Sequence, residues 1–162
     1  MSYDFNVDEI FEMAIRIEQN GAKFYRKASK NQSDKLNREM LEKLAVMEDH
    51  HKLTFETLKK TLSDAEKIET VFDPNNESSQ YLAAMVDSHG GEGSPDAADA
   101  LTGEESIKEI INIAINLEKE SILFYIGLKD FVPPKYGQDK IDKIINEERR
   151  HIIQLNSFRD KI

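Results

Sequence analysis

Two copies of one short pattern, Glu-x-x-His, stand at Glu48–His51 and at Glu148–His151. Each is preceded at the same distance by a further glutamate, Glu18 and Glu118. Residues three apart on a helix project to one side, so a helix carrying Glu-x-x-His offers a carboxylate and an imidazole to the same ion. Oxygen and nitrogen donors without sulfur suit iron or manganese, singly or mixed, better than a structural zinc site, although zinc could bind adventitiously. The chain has no cysteine, which excludes disulfides, thiolate zinc sites, iron–sulfur clusters and thiol catalysis together.

The surroundings of these six residues make them informative. Counted at alternating spacings of three and four, helix-compatible stripes run Phe11, Ala14, Glu18, Gly21, Tyr25 and Leu44, Glu48, His51, Phe55 in the first half of the chain. The second half repeats them as Ile111, Ala114, Glu118, Ser121, Tyr125 and Ile144, Glu148, His151, Leu155. Each apolar seam is interrupted near its middle by a carboxylate or an imidazole. A charge on a buried stripe is costly unless it is paired or bound to metal. No Lys or Arg lies on the stripes, whereas two divalent cations would balance the four glutamates. Glu48 and Glu148 are expected to bridge two metals, with Glu18 and His51 terminal on one and Glu118 and His151 terminal on the other. Without metal, the clustered carboxylates are expected to share protons and to have raised, coupled pKa values.

Tyr25 and Tyr125 lie on the same stripes beyond Glu18 and Glu118. They are either core aromatics with satisfied hydroxyls or donors to a ligand carboxylate across the core, where they would orient it. His50 is off the stripe, His89 falls in a connecting segment, and Glu120 faces away. Glu147 neighbours the ligand stripe, but Glu148 has the three-residue spacing to His151.

Four helices must position these groups. Apolar periodicity and end signals predict them at about 7–29, 34–62, 102–130 and 138–160, capped by Asn6 and Ser33 and by a Thr102/Glu105 capping box, with Pro133 and Pro134 closing the third. The first pair and the second pair each form an antiparallel hairpin. Residues 63–102 join them, a length that fits a crossover running along a bundle, with a short helix over 79–87 and a mobile Gly- and Ser-containing stretch over 89–99. The second hairpin restates the first at an offset of one hundred residues: IEQNGAKFY (17–25) aligns with LEKESILFY (117–125), and EDHH (48–51) with ERRH (148–151). Such a repeat implies a pseudo-twofold axis that sets matching residues face to face across the core.

The fold class is therefore all-α, in a single domain spanning 1–162. One third of the residues are charged, Gly and Pro are few, and 39% are hydrophobic, enough for one core. The net charge of -9 argues against nucleic acid and anionic membranes as partners. The N-terminus is acidic and amphipathic where a signal peptide would be basic and then apolar, and no run reaches membrane-spanning length, so a cytoplasmic location is expected.

These paired motifs, Glu then Tyr seven residues later and then Glu-x-x-His, resemble the rubrerythrin-like branch of the ferritin-like superfamily over nearly all the helical sequence. The resemblance implies a ferritin-like four-helix bundle and two iron ions that react with hydrogen peroxide or dioxygen, in a homodimer or larger homo-oligomer. Two positions depart from the family pattern. Rubrerythrins carry a further Glu one turn after the third-helix ligand, where this chain has Ser121, which bears on their redox-linked ligand exchange. Their four-cysteine rubredoxin-like tail has no counterpart here, so electrons are expected from a separate donor protein. Bacterioferritin shares the six-ligand set, but its haem-ligating Met is replaced by Asp49. The expected activity is reduction of peroxide or dioxygen. The alternatives are a ferroxidase or iron-handling protein without peroxidase turnover, and an interaction module without metal.

Overall fold

Stretches rich in Glu, Lys, Leu and Ile and free of Pro favour helix. The computed structural model describes residues 7–62, 96–130 and 137–162, together with Asn75, Glu77, Gln80, Tyr81, Ala84, Val132 and Pro134. Its helices are α1 (Val7–Lys30), α2 (Lys35–Leu62), the single turn α3 (Asp96–Asp99), α4 (Ile107–Lys129) and α5 (Gln138–Arg159). No strand occurs among the described residues. Gln80, Tyr81 and Ala84 are helical, in keeping with the short helix expected over 79–87. The remainder of that segment, the Asn6 cap, His89 and Pro133 lie outside the described residues.

Local chemistry moves two boundaries from their expected places and orders one stretch expected to be mobile. The α2 cap is Asp34, whose Oδ1 accepts the Asn37 amide at 2.9 Å. Ser33 instead contributes its carbonyl to the Arg38 guanidinium, at 2.6 Å, which closes the α1–α2 turn. Thr102 and Glu105 do bond to each other, the Glu105 carboxylate accepting the Thr102 amide and hydroxyl at 2.6 and 2.9 Å. That bonding closes a turn through Gly103, whose φ of +89° is incompatible with helix. The α4 capping box forms one motif later, between Ser106 and Glu109. Finally, part of the stretch expected to be mobile is docked. Asp96–Asp99 forms α3 against α1, the Lys27 ammonium donates to the Ala98 carbonyl at 2.7 Å, and Ala98 and Leu101 are buried.

Helices α1 and α2 pack along their lengths, as do α4 and α5, and the two hairpins meet through α1 on α4 and α2 on α5. Ion pairs of Lys59 with Glu12, Arg26 with Asp49, and Lys129 with Asp142 mark the antiparallel registers. The α4–α5 turn ends at Gly137, where φ is +105° and an added Cβ would come within 2.5 Å of Leu58 Cδ2. A glycine at this point lets the second hairpin close on the first.

The apolar interior is divided in two. One cluster, including Phe11, Phe55, Tyr125 and Ile141, fills the end of the bundle near the α4–α5 turn. The other, including Phe24, Leu44, Ile111 and Leu155, fills the opposite end, where α3 docks. Between them runs a polar layer made by the six seam residues. Every stripe position named above is buried, as expected.

Candidate metal centre

Each of the four long helices contributes to the polar layer from the middle of its buried face: Glu18 from α1, Glu48 and His51 from α2, Glu118 from α4, Glu148 and His151 from α5. None is more than 2% exposed. The two imidazoles turn Nδ1 toward the carboxylates. His51 Nδ1 lies 2.8 Å from Glu148, 3.2 Å from Glu18 and 3.3 Å from Glu48. His151 Nδ1 lies 3.1 Å from Glu148, 3.3 Å from Glu118 and 3.5 Å from Glu48.

The donor atoms sort into two quartets, Glu18–Glu48–His51–Glu148 and Glu48–Glu118–Glu148–His151, each with its atoms within 4.8 Å of one another. Glu48 and Glu148 belong to both. The repeat thus becomes a spatial symmetry, with one Glu from each Glu-x-x-His helix on the shared centre line. Glu18 Oε1, both carboxylate oxygens of Glu48 and Glu148, and both nitrogens of His151 are buried and lack a hydrogen-bond partner among the described residues. Interiors rarely tolerate so many unmatched polar atoms unless a ligand satisfies them. A hard or borderline cation in each quartet would do so, and the oxygen and nitrogen donor set fits iron or manganese.

Protons are distributed differently from the expectation of uniformly raised carboxylates. Burial and the neighbouring Glu48 carboxylate do raise the Glu18 pKa well above the ordinary value. Burial opposes charge on His51, but Glu148, Glu18 and Glu48 outweigh it and raise the imidazole. His151 is raised in the same way by Glu118, Glu148 and Glu48. Burial would also lift Glu48 and Glu148, yet both are lowered, Glu48 by the neighbouring Glu18 carboxyl and then by the two imidazoles, and Glu148 chiefly by the two imidazoles. Protons held on Glu18 and on the two imidazoles keep the shared carboxylates ionised.

The two tyrosines are inequivalent. Tyr25 is fully buried and its hydroxyl donates to Glu118 Oε1, across the core from its own helix. Tyr125 is equally buried, but its hydroxyl makes no corresponding bond and has no hydrogen-bond partner among the described residues. Its ring packs on Phe55 at 5.1 Å between centroids. Tyr25 thus meets a carboxylate across the core, whereas Tyr125 is a core aromatic whose hydroxyl has no partner among the described residues. Gly21, Ser121, Ala14 and Ala114 are buried beside the layer, and His50 is exposed.

Sequence reasoning passed over Glu147. Its Oε2 lies 2.6 Å from His51 Nε2, the ring nitrogen turned away from the carboxylates. Spacing along its own helix could not reveal the contact, because Glu147 serves the histidine of the facing helix.

Comparison with known proteins agrees with this architecture. The family model described as rubrerythrin matches residues 9–158. A crystal structure from Thermotoga maritima, described as a ferritin-like diiron-carboxylate protein, aligns with a TM-score of 0.67 at 22% identity, covering 99% of this chain and 98% of that one. That likeness makes the fold ferritin-like. None of the curated proteins compared with the chain matches it. No helix among the described residues is long and apolar enough to cross a membrane.

Proposed function

The chain belongs to the rubrerythrin family, and we propose that it is a di-iron oxidoreductase that reduces hydrogen peroxide with electrons from a separate protein donor. The observation that carries this reading is the pair of buried Glu/His quartets sharing Glu48 and Glu148. In this reading Glu48 and Glu148 would hold both irons, with Glu18 and His51 serving one and Glu118 and His151 the other. When bound, the metals would supply two electrons, one from each ferrous ion, enough with two protons to reduce peroxide to two waters.

The chain's own residues prepare the site for that chemistry. The apolar clusters on either side of the polar layer exclude bulk water, which strengthens every electrostatic interaction within it. Tyr25, donating to Glu118 Oε1, limits the orientations that carboxylate can take. Ser121, at the position where the family carries a further glutamate, leaves the ligand set at six residues in this reading.

Metal analysis of protein purified without chelator after iron-replete expression tests the site, with about two metal ions per chain expected. A metal-free product would overturn the reading. Stopped-flow oxidation of the diferrous protein tests the activity: faster reaction with peroxide than with dioxygen, with iron retained, supports it. Faster reaction with dioxygen, followed by release or accumulation of iron, would make the protein a ferroxidase instead.

A further inference from the structure

The repeat that superimposes Glu48 on Glu148 and His51 on His151 breaks at the preceding residue. Glu147 has Met47 as its counterpart. Glu147 extends from α5 to His51 on α2, where its carboxylate meets Nε2 at 2.6 Å. The symmetry-related contact would run from residue 47 to His151 Nε2. A thioether is at best a weak acceptor, and His151 Nε2 is buried with no hydrogen-bond partner among the described residues.

This difference matters because an imidazole that binds metal through Nδ1 must carry its proton on Nε2. A carboxylate at Nε2 fixes that tautomer, holds the ring in place and makes Nδ1 a stronger donor. His51 has this support. His151 must either leave an Nε2 proton buried without an acceptor or place the proton on Nδ1, the nitrogen needed by the metal. The two quartets otherwise have the same composition, three glutamates and one histidine each.

We propose that Glu147 makes the two metal positions inequivalent, so that the position completed by His51 binds a divalent cation more tightly and fills before the one completed by His151. Glu147 is a positioning residue in this scheme, acting through His51. The inference rests on the di-metal reading above.

The test is titration of the metal-free protein with Co(II), followed by visible absorption and calorimetry. Wild type is expected to bind in two steps separated by roughly 10- to 100-fold in affinity, the usual effect of such a histidine partner. Glu147→Gln, which keeps the shape and removes the charge, is expected to weaken the tighter step and leave the weaker one in place, with Glu147→Asp recovering part of the loss. In a His151→Ala background Glu147→Gln still weakens the remaining position. In a His51→Ala background it has no effect. Two equal steps in wild type, equal weakening of both steps by Glu147→Gln, or an effect that persists without His51 would each overturn the inference while leaving the di-metal reading intact. Failure of wild type to bind Co(II) at all would overturn both.

Discussion

The imidazole rings of His51 and His151 lie 5.7 Å apart, centroid to centroid, and within 15° of parallel. Two rings that both attract protons would repel at this separation were they not flanked by the shared carboxylates of Glu48 and Glu148. In the metal-free protein the layer is a compensated cluster of protons and carboxylates, and a metal must displace those protons to bind.

That exchange sets a pH dependence. His51 and His151 have folded-state pKa values raised above 6.5, so their stabilisation is complete below that pH and is lost as pH rises toward the folded values. Glu18, raised from 4.5, has the same sign and loses its contribution above 4.5. Glu48 and Glu148 are lowered, so they stabilise above 4.5 and lose that effect as pH falls further. Between about pH 6 and 9 the metal-free Tm is expected to fall, while the increase in Tm on adding Mn(II) grows, because the protons that the metal displaces are released into a solution of lower proton activity. Calorimetry with and without Mn(II) checks both; a metal-induced increment that shrinks with pH would contradict the proton assignment.

Tyr25→Phe and Tyr125→Phe should differ although the two residues are repeat equivalents. Removing the Tyr25 hydroxyl takes a donor from buried Glu118 and is expected to cost about 1.5–3 kcal/mol in the metal-free protein. The Tyr125 hydroxyl has no partner to lose among the described residues, so its removal should be close to neutral or slightly stabilising. Chemical denaturation of the two variants measures the difference, and equal losses would mean that the tyrosines are equivalent in solution.

The seam residues were legible in the sequence because a carboxylate or imidazole on an apolar stripe is anomalous, and because the repeat shows the anomaly twice. Contacts between helices were harder to read. Glu147 touches His51 through the relative placement of α2 and α5, which no spacing along either helix encodes. The broken symmetry of Tyr125 was hidden for the same reason, since its sequence context nearly copies that of Tyr25. The start of α4 was misplaced because Thr102/Glu105 and Ser106/Glu109 are both valid capping boxes in sequence. Only the backbone turn at Gly103 decides between them.

The caps of α4 and α2 make separate predictions. Ser106→Ala removes the hydroxyl that caps α4 and is expected to destabilise the protein by about 1 kcal/mol. Ser33→Ala, at the position first expected to cap α2, should have little effect, whereas Asp34→Ala should cost about as much as Ser106→Ala. Thermal denaturation of the three variants would reverse this account if Ser33→Ala proved the most damaging.

Gly137→Ala probes how the second hairpin closes. The substitution meets a left-handed backbone at φ +105° and places Cβ 2.5 Å from Leu58 Cδ2. Backbone strain alone is expected to cost about 1–3 kcal/mol. Leu58→Ala in the same chain relieves the collision but leaves the strain and opens a cavity. The double variant should therefore be less stable than wild type yet more stable than the sum of the single losses implies. Strict additivity in a double-mutant cycle would show that Leu58 does not limit the turn.

The decisive variants for the centre are Glu48→Gln and Glu148→Gln, because these residues belong to both quartets. Each change keeps the side-chain shape while removing a charge, so the metal-free chain should still fold, with unchanged far-UV circular dichroism. One substitution should weaken binding of both metals, since a bridge serves two positions. The double substitution should reduce metal content to background. Glu18→Gln, by contrast, touches one quartet and should weaken one binding step, leaving the step completed by Glu118 and His151 measurable. If the double variant retained about two metals per chain, Glu48 and Glu148 could not be the bridges; if Glu18→Gln were as damaging as Glu48→Gln, the distinction between shared and single-position carboxylates would fail.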